Sequence, residues 1–243
     1  MADVRDCSVL QAGAVGTVAE VIERLREIRD GTAGIAPGCG IAHFSDLYLS
    51  VTRTIDSHIR SKGFFADDEY LARLDVGFAN RYFDALRAWA GGGTPPGCWK
   101  LLFDLPVDGE VTALQLAGGG VNAHINLDLA VAVVDTGREM GDADLHVREG
   151  DYTKVNDVFA EDMARLLRRL LDERSARGGQ TDRLEYLGEL MTRIVARSRL
   201  HAWHDAEKLW PLDRRSPEWA AREELLDEWA CRLGSVVLFD LPG

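Results

Sequence analysis

Apolar residues recur at three- and four-residue spacing along most of this chain, the signature of amphipathic helices. Residues 15–30 carry Val18, Val21, Ile22, Leu25 and Ile28 on one face, and Asp30-Gly31 with the Gly/Pro-rich stretch 36–40 predicts a break. A second helix is predicted over 41–62, with Phe44, Leu47, Tyr48, Val51 and Ile55 aligned. A third starts at the acids Asp67, Asp68 and Glu69, which suit a helix N-terminus, and runs to Trp89 before the glycines and prolines of 91–97. Residues 98–109 read as an irregular linker, 110–117 as a short helix, and Gly118–Gly120 as an interruption. The run Asn122–Thr136 is so uniformly apolar in its second half that periodicity alone leaves helix and buried strand open.

Beyond it, 142–150 is polar and loop-like, with Asp151 placed to cap a helix over 151–173. That helix carries the stripe Val155, Val158, Phe159, Met163, Leu166, Leu167 and Leu170. A turn at 175–181, a long helix over 182–210, a last helix over 218–233 and an apolar tail at 235–241 complete the chain. Residues 1–14 are expected to be a loosely ordered lead-in. The expected fold is all-α: one helical-bundle domain over 1–243, with a buried central helix holding Asn122–Leu129.

Charge and cysteine usage narrow the partners. A net charge of -12 argues against nucleic acid, whose phosphates need a basic surface. No run of about 20 apolar residues is present to span a membrane, and the N-terminus lacks the basic-then-apolar layout of a signal peptide. Four scattered cysteines without a CxxC pair point to reduced, structural thiols. A cytoplasmic protein acting on a small molecule is the expectation; the sequence leaves its oligomeric state open.

The informative stretch is Asn122-Ala-His124-Ile-Asn126-Leu-Asp128-Leu129. In a helix, His124 and Asp128 share a face, as do Asn122 and Asn126. Four hydrogen-bonding side chains in an apolar element are costly unless each finds a partner, a ligand or water. The pair can serve as general acid/base His124 with Asp128 orienting it. Alternatively, both ligate a divalent metal with Asp151 or His43, although no HExxH or His-x-His pair supports this. The bland alternative is a polar network that ties helices together. Arg81 and Tyr82, among Phe78 and Phe83, could orient a substrate, but an ion pair from Arg81 to a neighbouring helix is the commoner outcome. Asn156 falls on the apolar side of its helix. Arg199, Trp203, Ala206 and Trp210 share another helix face that could wall a pocket, with His201 and His204 outside it. Tyr48 and Trp99 are further candidate pocket residues. Dinucleotide, Walker A and GxSxG patterns are absent.

Taken in order, the stretches Phe44–Thr52, Leu74–Tyr82, Cys98-Trp99, Asn122–Leu129, Asp151–Asn156 and Arg199–Trp210 resemble the DUF5995 family, best represented in actinomycetes. The resemblance covers about 15 to 240 and implies an all-helical fold, which favours the helical reading of Asn122–Thr136. Where the family usually has Ala-Gly-Met before the Asn-Ala-His box, this chain has Gly119-Gly120-Val121, and it adds His201 and His204 to the tryptophan segment. These departures suit a specialised, biosynthetic member. The leading expectation is an acid/base enzyme without a redox cofactor that catalyses cyclisation, isomerisation or dehydration. In it His124 and Asp128 are catalytic, Asn122, Asn126, Asn156, Arg81, Tyr82, Tyr48 and Arg199 contact substrate, and Trp99 and Trp203 wall the pocket. The rivals are a metal-dependent hydrolase and a non-catalytic binding protein.

Overall fold

The computed structural model describes residues 3–36, 38–106, 111–175 and 181–240, with the side chains of 163–188 and of 240 outside the description. The regular elements are α1 (Val18–Ile35), α2 (Gly40–Ser61), α3 (Asp68–Ala90), α4 (Gly97–Phe103), α5 (Ala113–Ala123), a π-helical turn (His124–Asp128), α6 (Leu129–Glu139), α7 (Glu149–Ser175), α8 (Thr181–Leu209) and α9 (Pro217–Ser235). No strand occurs among the described residues, so the all-α expectation holds and Asn122–Thr136 is helical. Nor is any described helix long and apolar enough to cross a membrane.

Side chains at the helix starts explain several boundaries. Thr17 and Glu20 form a reciprocal capping box on α1, and Thr112 and Gln115 form another on α5. Asp67 accepts from the Tyr70 amide at the head of α3. Ser216 caps α9 with Pro217 at its first position. Gly92, at φ +77°, takes the chain out of α3 in a conformation that L side chains rarely adopt.

Several local features differ from the sequence reading. Asp30-Gly31 does not break α1, which continues to Ile35; Gly31 instead lets the N-terminal segment close on it, since a Cβ there would lie 2.8 Å from Cys7 Sγ. The lead-in forms two 3-10 turns and buries Leu10. The linker contains α4, whose Cys98, Trp99, Leu102 and Phe103 are all buried. Asp151 is not the cap of α7: it sits in that helix's first turn and accepts from the Ala66 and Asp67 amides at 2.7 Å each, holding the approach to α3. The stripe positions Met163, Leu166, Leu167 and Leu170 and the turn 176–180 lie outside the description.

Gly118–Gly120 also fail to interrupt anything. They belong to a continuous rod of α5, the π turn and α6, with α2 and α9 packed on its first half and α3 and α8 on its second. The glycines allow this packing. A Cβ on Gly120 would stand 2.3 Å from the Phe44 ring, and one on Gly119 2.8 Å from Leu238. The helix propensity given up is offset by close approach of two neighbours to the rod. From Ala123 to Val134 every residue is buried.

Gly120→Ala is therefore expected to destabilise the protein by about 1–3 kcal/mol through overpacking. Gly34→Ala, on the exposed side of α1 with nothing within 4 Å of a new Cβ, should instead gain up to about 1 kcal/mol from helix propensity. Urea unfolding of the two variants beside wild type measures both.

Candidate functional site

The centre of the rod is where its backbone departs from α-helix. The Leu129 N–H donates to the His124 carbonyl five residues back, closing a single π turn. Such turns insert one residue into a helix and re-aim the side chains around it, and they concentrate at functional sites. Here the turn begins at His124 and ends at Asp128.

Asp128 is buried and accepts three hydrogen bonds. His124 Nδ1 lies 3.1 Å from its Oδ2, Trp99 Nε1 donates to the same oxygen at 3.0 Å, and Arg81 Nε donates to Oδ1 at 3.1 Å. The network continues outward: Arg81 Nη2 donates to Glu223 at 2.8 Å, and Glu223 also accepts from Trp219 Nε1 and Arg214. Burial opposes the Arg81 charge, but Asp128 and Glu223 outweigh it and raise its pKa. Arg81 thus makes ion pairs to the π turn and to α9.

The His124 ring lies flat against Phe78, with centroids 3.4 Å apart and planes 8° from parallel. Tyr48 meets it edge-on at 4.7 Å and Phe44 at 5.6 Å, with Tyr82 and Trp99 completing an aromatic cage. Burial pushes the imidazole pKa down, and the Asp128 bond and charge only partly restore it. Because Asp128 already accepts from Arg81 and Trp99, Nδ1 is the nitrogen that donates to it, leaving a lone pair on Nε2. That Nε2 is buried and has no partner among the described residues.

Three further polar atoms share this condition nearby. Tyr48 Oη and Thr52 Oγ1 lie one turn apart on α2, and Asp75 Oδ2 lies on α3 one turn from Phe78; none has a partner among the described residues. Burial raises the Tyr48 pKa, with Asp75 and Asp128 adding to it. Burial likewise raises the Asp75 carboxyl to about 8, with a smaller contribution from Asp56. Four unsatisfied polar atoms along one α2/α3 seam are a cost that a purely structural core avoids.

The predicted residues divide into two groups and some outliers. His124, Asp128, Arg81, Trp99, Tyr48 and Tyr82 come together, with Trp99 and Arg81 turned to Asp128 and Tyr82 bonded to Ser45 at 2.9 Å. Asn122 and Asn126 lie beside them but face elsewhere: Asn126 donates to Asn122 at 3.0 Å and Asn122 to the Ala230 carbonyl at 2.7 Å, tying the rod to α9. Asn156, Arg199 and Trp203 form a second cluster between α7 and α8, where Arg199 Nε donates to Asn156 at 2.9 Å. Asp151 spends both oxygens on backbone amides, and His43 sits half-buried with Asp46 as its charged neighbour. No three His, Cys, Asp or Glu side chains converge on a metal position among the described residues, so the ligand set His124, Asp128, Asp151 and His43 does not assemble. His201 and His204 are exposed, as expected. A groove of about 430 Å³ bordered by Arg29, Asp46, Arg53 and His58 shares no lining residue with the cage.

Phe44, Phe78, Asp75 and Thr52 escaped sequence reasoning as site residues. The signal for Asp75 was present: it is an acid flanked at helical spacing by Leu71, Leu74, Phe78 and Ala79, all buried.

The fold and the site together define an all-α protein with a histidine–carboxylate pair sealed in its central helix. A family model for a family of unknown function, DUF5995, matches residues 18–239, and the chain belongs to that family. No curated protein and no solved structure matches it.

Asp75 offers a direct test of the seam. Its folded pKa of about 8 lies above the unfolded value of about 3.9, so the native state holds the proton more tightly. The stabilisation it gives is complete below about pH 4 and is lost as pH rises through about 8, at up to about 1.4 kcal/mol per pH unit. Urea unfolding at pH 5, 7 and 9 should show wild type losing ground steadily to Asp75→Asn; parallel profiles for the two proteins would mean that Asp75 does not hold a proton in the native state.

Proposed function

We propose that this protein is an enzyme that moves protons on a small, neutral, largely apolar molecule. His124 is the general acid/base and Asp128 is the group that orients it. The observation that carries the reading is the buried, unpartnered Nε2 of a histidine whose Nδ1 is fixed by a carboxylate. Burial keeps this imidazole neutral near pH 7, so Nε2 is ready to accept a proton. When it does, the new positive charge faces Asp128 across 3.1 Å, and the proton can be returned to a different atom of the same molecule. That exchange is the core of an isomerisation, a dehydration or an acid/base-driven cyclisation, and it calls for no redox cofactor.

The neighbours have matching roles. The Tyr48 hydroxyl, which has no partner among the described residues, is suited to donate to an oxygen on which charge develops. Asp75, neutral below about pH 8, is a second proton source beside it. Phe44, Phe78 and Tyr82 make the surroundings of the imidazole apolar, which favours a compact hydrocarbon or aromatic skeleton over a charged one. Arg81, expected from sequence to orient substrate, is instead a positioning residue that acts through Asp128, and Asn122 and Asn126 anchor the rod. The four free cysteines and the net charge of -12 fit a cytoplasmic location and a partner other than nucleic acid. A biosynthetic role suits such a pocket.

A second reading, a non-catalytic site, draws on a different observation: Asp128 is already saturated by donors from three elements, as a fold-locking carboxylate would be. The two readings part at Tyr48. Removing a buried hydroxyl that lacks a partner should leave stability unchanged or improve it, whereas catalysis would suffer. Tyr48→Phe is expected to unfold at or above the wild-type temperature, with turnover reduced by roughly 10²-fold or more on a substrate found by screening neutral metabolites. His124→Gln should match that loss of turnover. Asp128→Asn should lose both activity and about 3–5 kcal/mol, since Arg81 and Trp99 are left with a weaker acceptor. Stability and turnover must be measured on the same samples; undiminished turnover in Tyr48→Phe and His124→Gln would sink the enzymatic reading.

A further inference from the structure

The second cluster, between α3, α7 and α8, holds an electrostatic imbalance that the proposed chemistry does not use. Arg199 is 3% exposed. Its Nε donates to Asn156 Oδ1 at 2.9 Å and its Nη2 to the Tyr152 carbonyl at 2.7 Å. Its guanidinium carbon lies 4.4 Å from the centroid of the Tyr152 ring and 5.5 Å from that of Phe159. Every one of these partners is neutral. No carboxylate accepts from Arg199 among the described residues, and burial accordingly lowers its pKa, opposed only by Tyr152 and Tyr70. Uncompensated buried cations are rare because their desolvation is so costly.

Three acids around the head of α3 and the start of α7 are committed elsewhere. Asp142 places both oxygens on Arg148. Asp67 spends one oxygen on Arg148 and the other on the Tyr70 amide, and Asp151 spends both on the Ala66 and Asp67 amides.

Two more groups beside Tyr152 are unsatisfied among the described residues. Trp203 is 2% exposed and its ring lies 4.9 Å from that of Tyr152, yet Nε1, which can only donate, has no partner. Tyr70 is fully buried and close enough to Tyr152 and Arg199 to feel both, yet its hydroxyl also has none. Arg199 and Trp203 stand one turn apart on α8, so the guanidinium and the indole N–H lie on one side of the helix. A cation without a counter-charge, an indole N–H without an acceptor and a phenol without a partner all call for the same complement.

We propose that this cluster is a binding site for a small monoanion, either a halide or the carboxylate head of a small acid, held by Arg199, Trp203 and Tyr70. A divalent oxyanion is disfavoured, since one guanidinium balances one charge and the aromatic walls of Tyr152 and Phe159 supply no second cation. The site is independent of His124, so it can stand or fall separately from the proposed enzymatic activity.

The test compares sodium bromide, formate and sulfate, each titrated at constant ionic strength against gluconate, a monoanion with a bulky head group. Binding to the native state alone raises the unfolding temperature saturably. Bromide, formate or both should do this in wild type and in Arg197→Met, which lacks an exposed neighbouring charge, but not in Arg199→Met. Trp203→Phe keeps the guanidinium and removes one N–H, and should weaken the anion by roughly tenfold or more, which is informative even if Arg199→Met fails to fold. Crystals grown in bromide should show its anomalous signal beside Arg199. Displacement of that signal by formate marks a site that takes carboxylates, and its persistence marks a halide site. Equal responses to all four anions, or no bromide beside Arg199 together with no formate-induced stabilisation, would overturn the proposal.

Discussion

The arrangement at the centre of this protein depends on one buried carboxylate. Asp128 sits at the end of the π turn and accepts from the turn itself through His124, from α4 through Trp99 and from α3 through Arg81. Taking a carboxylate out of water costs several kcal/mol even after relaxation, and only a nearly complete set of donors offsets that. Asp128 has such a set, and each donor comes from a different part of the chain. The requirement to satisfy one charge therefore fixes the relative placement of three elements. Arg81 extends the constraint, since its second hydrogen bond reaches Glu223 on α9, which Trp219 and Arg214 also hold. Neutral packing alone tolerates sliding and repacking of similar volumes; a relay of directional, charged contacts does not.

The same network sets the state of His124. Because Asp128 takes His124 Nδ1, the other nitrogen is left without a partner among the described residues, and Phe44, Tyr48 and Phe78 pack around the ring. Within a few residues the molecule treats buried polar atoms in two opposite ways. Asp128, Asn122 and Tyr82 are satisfied by protein groups, and their roles are complete within the fold. His124 Nε2, Tyr48 Oη, Thr52 Oγ1 and Asp75 Oδ2 are left open. Unpartnered buried atoms carry a desolvation cost, and under the proposed function that cost is carried for activity.

Much of this was legible in the sequence, and the parts that were not share a cause. Helices α2, α3, α8 and α9 follow from apolar periodicity because each has one face on the core and one in solvent. The central rod has no solvent face, so its Val-rich second half carries no periodicity to read. Gly118–Gly120 mimic a break for a related reason: local propensity opposes a helix there, while the contacts of Gly120 with Phe44 and of Gly119 with Leu238 require one. Helix α4 was missed because seven residues are too few to display a period. Asp151 showed the right chemistry with the wrong object, since an N-cap aspartate and one that holds the backbone ahead of a neighbouring helix look alike in sequence.

The grouping of site residues shows the same limit. The spacing of four placed His124 beside Asp128 correctly, because residues four apart remain neighbours through the π turn as well as in an α-helix. Spacing could not show that Asn122 and Asn126 bond to each other and to Ala230, or that Asn156 belongs with Arg199 instead of His124. Those assignments depend on which helix faces which. Polar residues on apolar faces thus reveal from sequence that partners exist, and only the packed structure says whether each partner is protein or must come from outside. For Asp128 the protein supplies all three donors. For His124 Nε2 the described residues supply no partner, and for the Arg199 guanidinium they supply neutral acceptors without a counter-charge; those are the two places where the proposed ligands would act.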